Sequence, residues 1–200
     1  MLILNIAAGK FEPLPMSSQE TLMMSKFVVN VDTSYFTDTL ADTVECHMKQ
    51  WVTDGDRVTQ HRYLNMDIIE FMERTHVIFD RVVIYRFLEH LTFTQVEYFI
   101  YLVSTILQKG GQVDVIVPNY TQLAEMILSD DPNCSDFAAK NILLTTELLN
   151  EPSCPHASIW TQERMKYFWE LENRFKVELQ HPAFKFDGRD IYLRSFIERI

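Results

Sequence analysis

Cysteine is scarce in this chain: Cys46, Cys134 and Cys154 are odd in number, widely spaced, and form no C-x-x-C pair. That argues against both a disulfide framework and a thiolate zinc site. Glycine is scarcer than most nucleotide-binding folds need, with five in all, and no G-x-G-x-x-G loop is present: Ala7, Gly9 and Glu12 occupy its three places. No apolar run approaches the length that crosses a bilayer. Met1-Leu2-Ile3 passes straight into Asn5 without a basic leader or cleavage site, so a signal peptide is not expected and the cytoplasm is the expected location. Positive charge is also short. Eighteen Lys and Arg face 28 Asp and Glu, for a net charge of −10, and no Lys/Arg cluster stands out. Such a surface repels phosphate backbones and anionic lipids, so neither a long nucleic acid nor a membrane is an expected partner. No His/Asp/Glu grouping has metal-ligand spacing along the sequence, so no metal is expected.

What is present points to a globular fold. Apolar residues make up 47% of the 200 residues and charged residues 23%, a composition that suits one domain over residues 1–200 with an ordinary core. Its opening is the most informative part. The apolar run Leu2-Ile3-Leu4-Asn5-Ile6 leads into the small-residue turn Ala7-Ala8-Gly9, and a second run, Phe27-Val28-Val29-Asn30-Val31, ends in Asp32. A nucleotide site in an α/β sheet needs this order: a turn that lets backbone N–H groups approach the ligand, then a carboxylate for the ribose hydroxyls.

Strand-like and helix-like segments alternate over residues 1–120, which predicts a mainly parallel sheet with helices on its faces. The polar stretch Thr37–Thr59 reads as a helix or irregular excursion closed by the turn Asp54-Gly55-Asp56. His61–Leu64 is a short third strand leading to Asp67, and Ile68–Glu73 has helical spacing. Phe79–Ile84 is nearly continuous in apolar character, as a central parallel strand requires. Phe93–Leu107 is a long amphipathic helix that Gly110-Gly111 should stop, and Gln112–Val117 is a fifth strand closed by Pro118. Further on, Tyr120–Leu128 and Phe137–Leu149 read as helices, and Thr161 as the N-cap of a helix Gln162–Glu172. Phe175–Leu179 and Arg189–Phe196 are expected to pair as an antiparallel hairpin around Asp187-Gly188.

Four short segments in this order carry a resemblance: LNIAAG at Leu4–Gly9, VNVD at Val29–Asp32, FDRVVIYRFLEHL at Phe79–Leu91 and LQKGGQVDVIVPN at Leu107–Asn119. With them the chain resembles the class I S-adenosylmethionine-dependent methyltransferases, in particular short members that begin with an LNLGCG…NVD pattern. The resemblance covers residues 2–120 and extends through HASIW at His156–Trp160. It implies a doubly wound, mostly parallel seven-stranded Rossmann-like sheet in the order 3-2-1-4-5-7-6 with a C-terminal antiparallel hairpin. Residues 1–120 would be the cofactor-binding half and 121–200 the substrate half. It further implies S-adenosylmethionine as cofactor and transfer of its methyl group to an O or N nucleophile of a small molecule. Asn5, Ala7, Ala8 and Gly9 would cradle the amino-acid end of the cofactor, Asp32 the ribose, and Asp67 with Ile68 the adenine. Arg86, Glu89 and His90 would stand where donor and acceptor meet.

The chain also departs from that pattern. Ala7 replaces a glycine where the backbone nears the ligand, Lys10-Phe11 replaces a small residue, and Pro13 and Pro15 interrupt the helix that usually follows. A methyltransferase-like protein that binds a partner without catalysis is therefore the alternative, and a dinucleotide-dependent oxidoreductase a weaker third. Tyr85-Arg86-Phe87-Leu88 stands where methyltransferases of base or glutamine amides carry an Asn/Asp-Pro-Pro-aromatic turn, which argues against amide and base nitrogens as acceptors. Several of these residues also have purely structural readings: Asp67 as the cap of the helix that follows it, Glu89 and His90 as first-turn residues, His156 as a lone hydrogen-bonding loop histidine. Tyr98, Phe99 and Tyr101 read as core plus surface.

Overall fold

A five-residue segment that is apolar on both faces is stable only with cover above and below it, and Leu2-Ile3-Leu4-Asn5-Ile6 is such a segment. In the computed structural model, which describes residues 1–6, 27–31, 51–54, 57–64, 66–143, 156–186 and 189–200, it is a strand at the heart of one mixed sheet. In chain order the strands are β1 (Leu2–Ile6), β2 (Phe27–Val31), β3 (Trp51–Asp54), β4 (Arg57–Leu64), β5 (Phe79–Tyr85), β6 (Leu107–Pro118), β7 (Phe175–Phe186) and β8 (Arg189–Arg199). The helices are α1 (Ile68–Arg74), α2 (Phe93–Ile106), α3 (Tyr120–Ile127), α4 (Pro132–Leu143) and α5 (Gln162–Glu170), with a short 3-10 turn at Leu88–His90.

The sheet order is β3-β4-β2-β1-β5-β6-β8-β7. β4, β2, β1, β5 and β6 run parallel to their neighbours in this row, whereas β3 pairs antiparallel with β4, and β8 antiparallel with both β6 and β7. Among the described residues the sheet has eight strands where seven were expected. The additional one is β3, inside the stretch read from sequence as an excursion: it pairs antiparallel with β4, Asp54 opposite Arg57, as an edge strand.

Alternation along the central strands sorts side chains by face. Leu4, Ile6, Val82, Ile84, Val113, Val115 and Val117 share one core with Met72 of α1, Phe99 and Val103 of α2, and Met165 and Trp169 of α5. Each such side chain, fully buried, contributes about 1.5–3 kcal/mol. Ile3 and Val83 point the other way, where they meet Met1. Leu123 and Met126 of α3 make a separate small cluster with Cys134 and Ala138 of α4.

Several boundaries shift from the expected ones. β4 starts at Arg57 rather than His61, α4 starts at Pro132 rather than Phe137, and α5 stops at Glu170. β7 and β8 are longer than expected, and the turn at 187–188 between them lies outside the described residues. The largest change concerns Gly110-Gly111. α2 ends at Ile106 and the chain enters β6 directly, so the glycines sit within the strand rather than at a helix stop. Phe79 pairs with Leu107 and Arg81 with Gln112, so the intervening residues of β6 bulge out. Gly110 there has φ 73°, and a Cβ on Gly111 would stand 2.7 Å from the Gln108 carbonyl oxygen, which is why the bulge takes glycine at both places.

One buried polar group braces the sheet. Asp114 of β6 accepts from Arg81 of β5 at 2.9 Å and from Arg194 of β8 at 2.9 and 2.5 Å. The carboxylate is 3% exposed, so the two guanidinium groups make its burial tolerable.

Candidate active site

From β1 the chain passes to β2 on one side, and it returns as β5 on the other side of β1. Strand order therefore reverses between β1 and β5, and in open α/β sheets ligands bind beyond the carboxyl ends of the strands at such a point. Ile6 pairs with Val31 of β2 and with Ile84 of β5, so the three strands finish nearly level.

β5 continues into Arg86 with φ 50°, a left-handed value that costs a non-glycine residue on the order of 1 kcal/mol or more. Its N–H is fixed on the carbonyl of Ile116 in β6 at 2.8 Å, and its guanidinium lies 5.6 Å above the Tyr192 ring. This bend starts the 3-10 turn, which His90 and Leu91 N–H close on the carbonyls of Phe87 and Leu88.

A distant loop is tied to this turn. The Glu89 carbonyl accepts from the N–H groups of Ala157 at 2.7 Å and Ser158 at 3.1 Å. Ser158 Oγ donates to the Leu88 carbonyl at 2.9 Å, and the buried Trp160 Nε1 donates to Ser158 Oγ at 3.0 Å. His156 is thereby set beside His90, ring centroids 5.1 Å apart, and its Nδ1 hydrogen-bonds the hydroxyl of Tyr120, the first residue of α3. Glu89, His90 and His156 bring one potential ligand atom each within 4.8 Å of one another.

Burial dominates the electrostatics. Glu89 is 0% exposed, and neither carboxylate oxygen has a hydrogen-bond partner among the described residues. Removal from water pushes its pKa from 4.5 up to about 7, with the charge of Arg86 pulling back. His156 is lowered to about 4 by burial, then by the charges of His90 and Arg86. Burial, followed by the charge of Glu89, also raises the pKa of Tyr120. At neutral pH His156 is a neutral imidazole, Tyr120 a neutral phenol, and Glu89 a carboxyl poised between its two forms.

The fold thus brings together Arg86, Glu89 and His90, the three residues expected near the reacting atoms, and adds His156 and Tyr120. Sequence reasoning missed that pair. The only signal for His156 was its place in HASIW, and Tyr120 looked like an ordinary helix start. Of the expected cofactor residues, Asn5 is buried in β1 one residue from its end. Asp67 is exposed and caps α1, accepting from Ile69 N–H at 2.9 Å and Glu70 N–H at 3.1 Å. Ile68 is packed into the main core. Ala7, Ala8, Gly9 and Asp32 lie outside the described residues. The sequence offered no grouping with metal-ligand spacing, yet Glu89, His90 and His156 form a three-donor cluster in space.

No family model matches the chain, and no curated protein matches it. Solved structures do. One similar structure is a SAM-dependent methyltransferase from Archaeoglobus fulgidus, with a TM-score of 0.58 at 15% identity over 99% of this chain and 86% of that one. Another is the N-methyltransferase NodS from Bradyrhizobium japonicum bound to S-adenosyl-L-homocysteine, with a TM-score of 0.54 at 13% identity over 99% and 77%. A third is the plantazolicin methyltransferase BpumL in complex with SAH and a triazolic desmethylplantazolicin analogue, with a TM-score of 0.55 at 10% identity over 99% and 76%. The chain has the fold of the class I S-adenosylmethionine-dependent methyltransferases. Among the described residues, no helix is long and apolar enough to cross a membrane.

Proposed function

We propose that this chain is an S-adenosylmethionine-dependent methyltransferase that methylates an O or N nucleophile of a small-molecule acceptor. The observation that carries this reading is the placement of Glu89: an unpartnered buried carboxyl just beyond the end of β5, at the reversal point of a methyltransferase-type sheet. The small-molecule class is supported by the net charge of −10, which disfavours polyanions, and by BpumL, which shares this fold and binds a triazolic desmethylplantazolicin analogue.

The residues present suit the cofactor. β1 and β2 reach Ile6 and Val31 in register, and the next residues in the chain are Ala7 and Asp32, the proposed turn and ribose acid. Asn5, Ala8 and Gly9 complete the proposed cradle. Asp67 and Ile68 belong to the adenine side, where the capping bonds of Asp67 both fall on Oδ1. The bound sulfonium supplies an electrophilic methyl carbon. Methyl transfer from it would require the acceptor to give up a proton. On the acceptor side Arg86 orients an electron-rich group, while Glu89 and His90 deal with that proton.

Calorimetric titration with S-adenosylmethionine, S-adenosylhomocysteine and NAD tests the reading. Binding of the first two is expected. Binding of NAD alone would establish an oxidoreductase instead, and silence from all three a methyltransferase-like binding protein without catalysis. Asp32→Ala is expected to weaken S-adenosylmethionine binding by about 30- to 150-fold, the loss of charge-assisted contacts worth about 2–3 kcal/mol. An Asp32→Ala protein that is destabilised yet binds normally would make that residue a structural cap.

A further inference from the structure

Burying a carboxylate without a hydrogen bond or a close counter-ion is expensive, and Glu89 is in that position. Arg86 lies near enough for its charge to act on Glu89 and His156, but the two make no ion pair among the described residues. His156 is the second unusual group. Its Nδ1 is engaged by the Tyr120 hydroxyl, while its Nε2 is buried without a partner among the described residues. With the proton on Nδ1 and given to Tyr120, Nε2 carries a lone pair directed away from that bond. An outer partner that fixes one ring nitrogen and leaves the other bare is how proteins prepare a histidine to bind a metal.

From this geometry we propose that Glu89, His90 and His156 form a binding site for one divalent transition-metal cation, with Tyr120 as the outer partner that orients His156. Two imidazoles and one carboxylate are the donor set of open sites, in which three protein ligands leave a further position for water or substrate. Ligand atoms held at about 2.0–2.1 Å from a tetrahedral ion are about 3.3 Å apart. The three residues, whose ligand atoms now lie within 4.8 Å of one another, have to close that gap by movement of their side chains, because the turn and loop that carry them are tied backbone to backbone.

The cation site stands on these side chains; its place in the reaction rests on the methyl-transfer reading. There, with Glu89 and His90 engaged as ligands rather than as bases, an acceptor hydroxyl on the open position would be acidified by the ion and would release its proton to solvent. Arg86 adds positive charge beside a dication carrying one carboxylate ligand, so the open position favours an anion. The same charge opposes the bare cation.

The test uses the full chain freed of metal with EDTA and titrated calorimetrically with zinc and with cobalt(II), the latter also followed by its visible absorption. One equivalent is expected to bind. Glu89→Gln and His156→Asn are each expected to weaken binding at least tenfold, and Tyr120→Phe by about 10- to 100-fold, the usual cost of losing an outer partner. Arg86→Asn, in which asparagine tolerates the left-handed backbone, is expected to tighten it. Circular dichroism identifies a variant that fails to fold, and the remaining variants then decide. No saturable binding by the wild-type chain overturns the site, as does binding that survives both ligand substitutions unchanged, which would place the cation on the acidic surface. None of this requires S-adenosylmethionine, so a chain that takes up neither zinc nor cobalt(II) yet binds the cofactor would refute the cation site and leave the proposed function standing.

Discussion

The metal-free protein should lose stability as the pH rises from about 4.5 to about 7, and Glu89→Gln should abolish that loss. The folded-state pKa of Glu89 is about 7 against an ordinary 4.5, because burial disfavours its charged form. Between those two values the folded chain holds a proton that the unfolded chain has released. The slope of stability with pH follows protons bound in the unfolded state minus those bound in the folded state, and here that difference is negative. The contribution is fully present below pH 4.5, drains away through the window up to about 7, and stays lost above it. Each factor of ten in proton affinity is about 1.4 kcal/mol, so the loss amounts to about 3 kcal/mol. His156 acts in the opposite direction. Its folded value is depressed to about 4, so its contribution disappears as the pH falls below about 6.5. Comparison of wild type with Glu89→Gln at each pH cancels this second effect. Urea denaturation in EDTA from pH 5 to 8.5 is the assay. The variant should nearly match wild type near pH 5 and exceed it by up to about 3 kcal/mol at pH 8, about 6–12 °C in Tm for a chain of this size. Parallel profiles across that range would show that the Glu89 carboxyl is not buried in the way described.

Three further substitutions test the frame around the site. Asp114→Ala strips Arg81 and Arg194 of their shared carboxylate and should cost about 3–5 kcal/mol by chemical denaturation; a loss under 1 kcal/mol would mean that water reaches the pair. Gly111→Ala places a Cβ against the Gln108 carbonyl, and the backbone shift should cost about 1–3 kcal/mol, whereas an unchanged Tm would remove the bulge as the reason for that glycine. Asp67→Ala removes the cap of α1 and should cost about 1 kcal/mol. If its affinity for S-adenosylmethionine falls as well, the residue serves both cap and adenine, and if affinity holds, it is a cap alone.

The parts of this molecule legible in its sequence are those where one local force decides the outcome. β5 could be read from FDRVVI, one residue short of its observed end at Tyr85, because a strand covered on both faces must be apolar almost throughout. α2 could be read from the helical spacing of Val96, Phe99, Ile100, Val103 and Leu107, and the structure adds a reciprocal capping box of Thr92 and Gln95 at its start. Where two structures share one local signal, the reading failed. Glycines with positive φ end helices and also form bulges, so Gly110-Gly111 suggested a helix stop, whereas the pairing of β5 with β6 made it a bulge. β3 was hidden for a related reason: a four-residue edge strand needs only a turn and a neighbour, and its surroundings are polar. For the candidate site the obstacle is distance along the chain. Metal and acid–base motifs are recognised when their residues recur at short spacing on one element. Here His156 reaches Glu89 through backbone bonds from Ala157 and Ser158 to the Glu89 carbonyl, and any residue type can make those. What the sequence does display is the anomaly that results, a Glu-His pair directly after a central strand. First-turn acids are ordinarily solvated, where they help a helix start. A first-turn glutamate sealed from solvent without a partner is the opposite arrangement, and its energetic cost is the reason to look for what it binds.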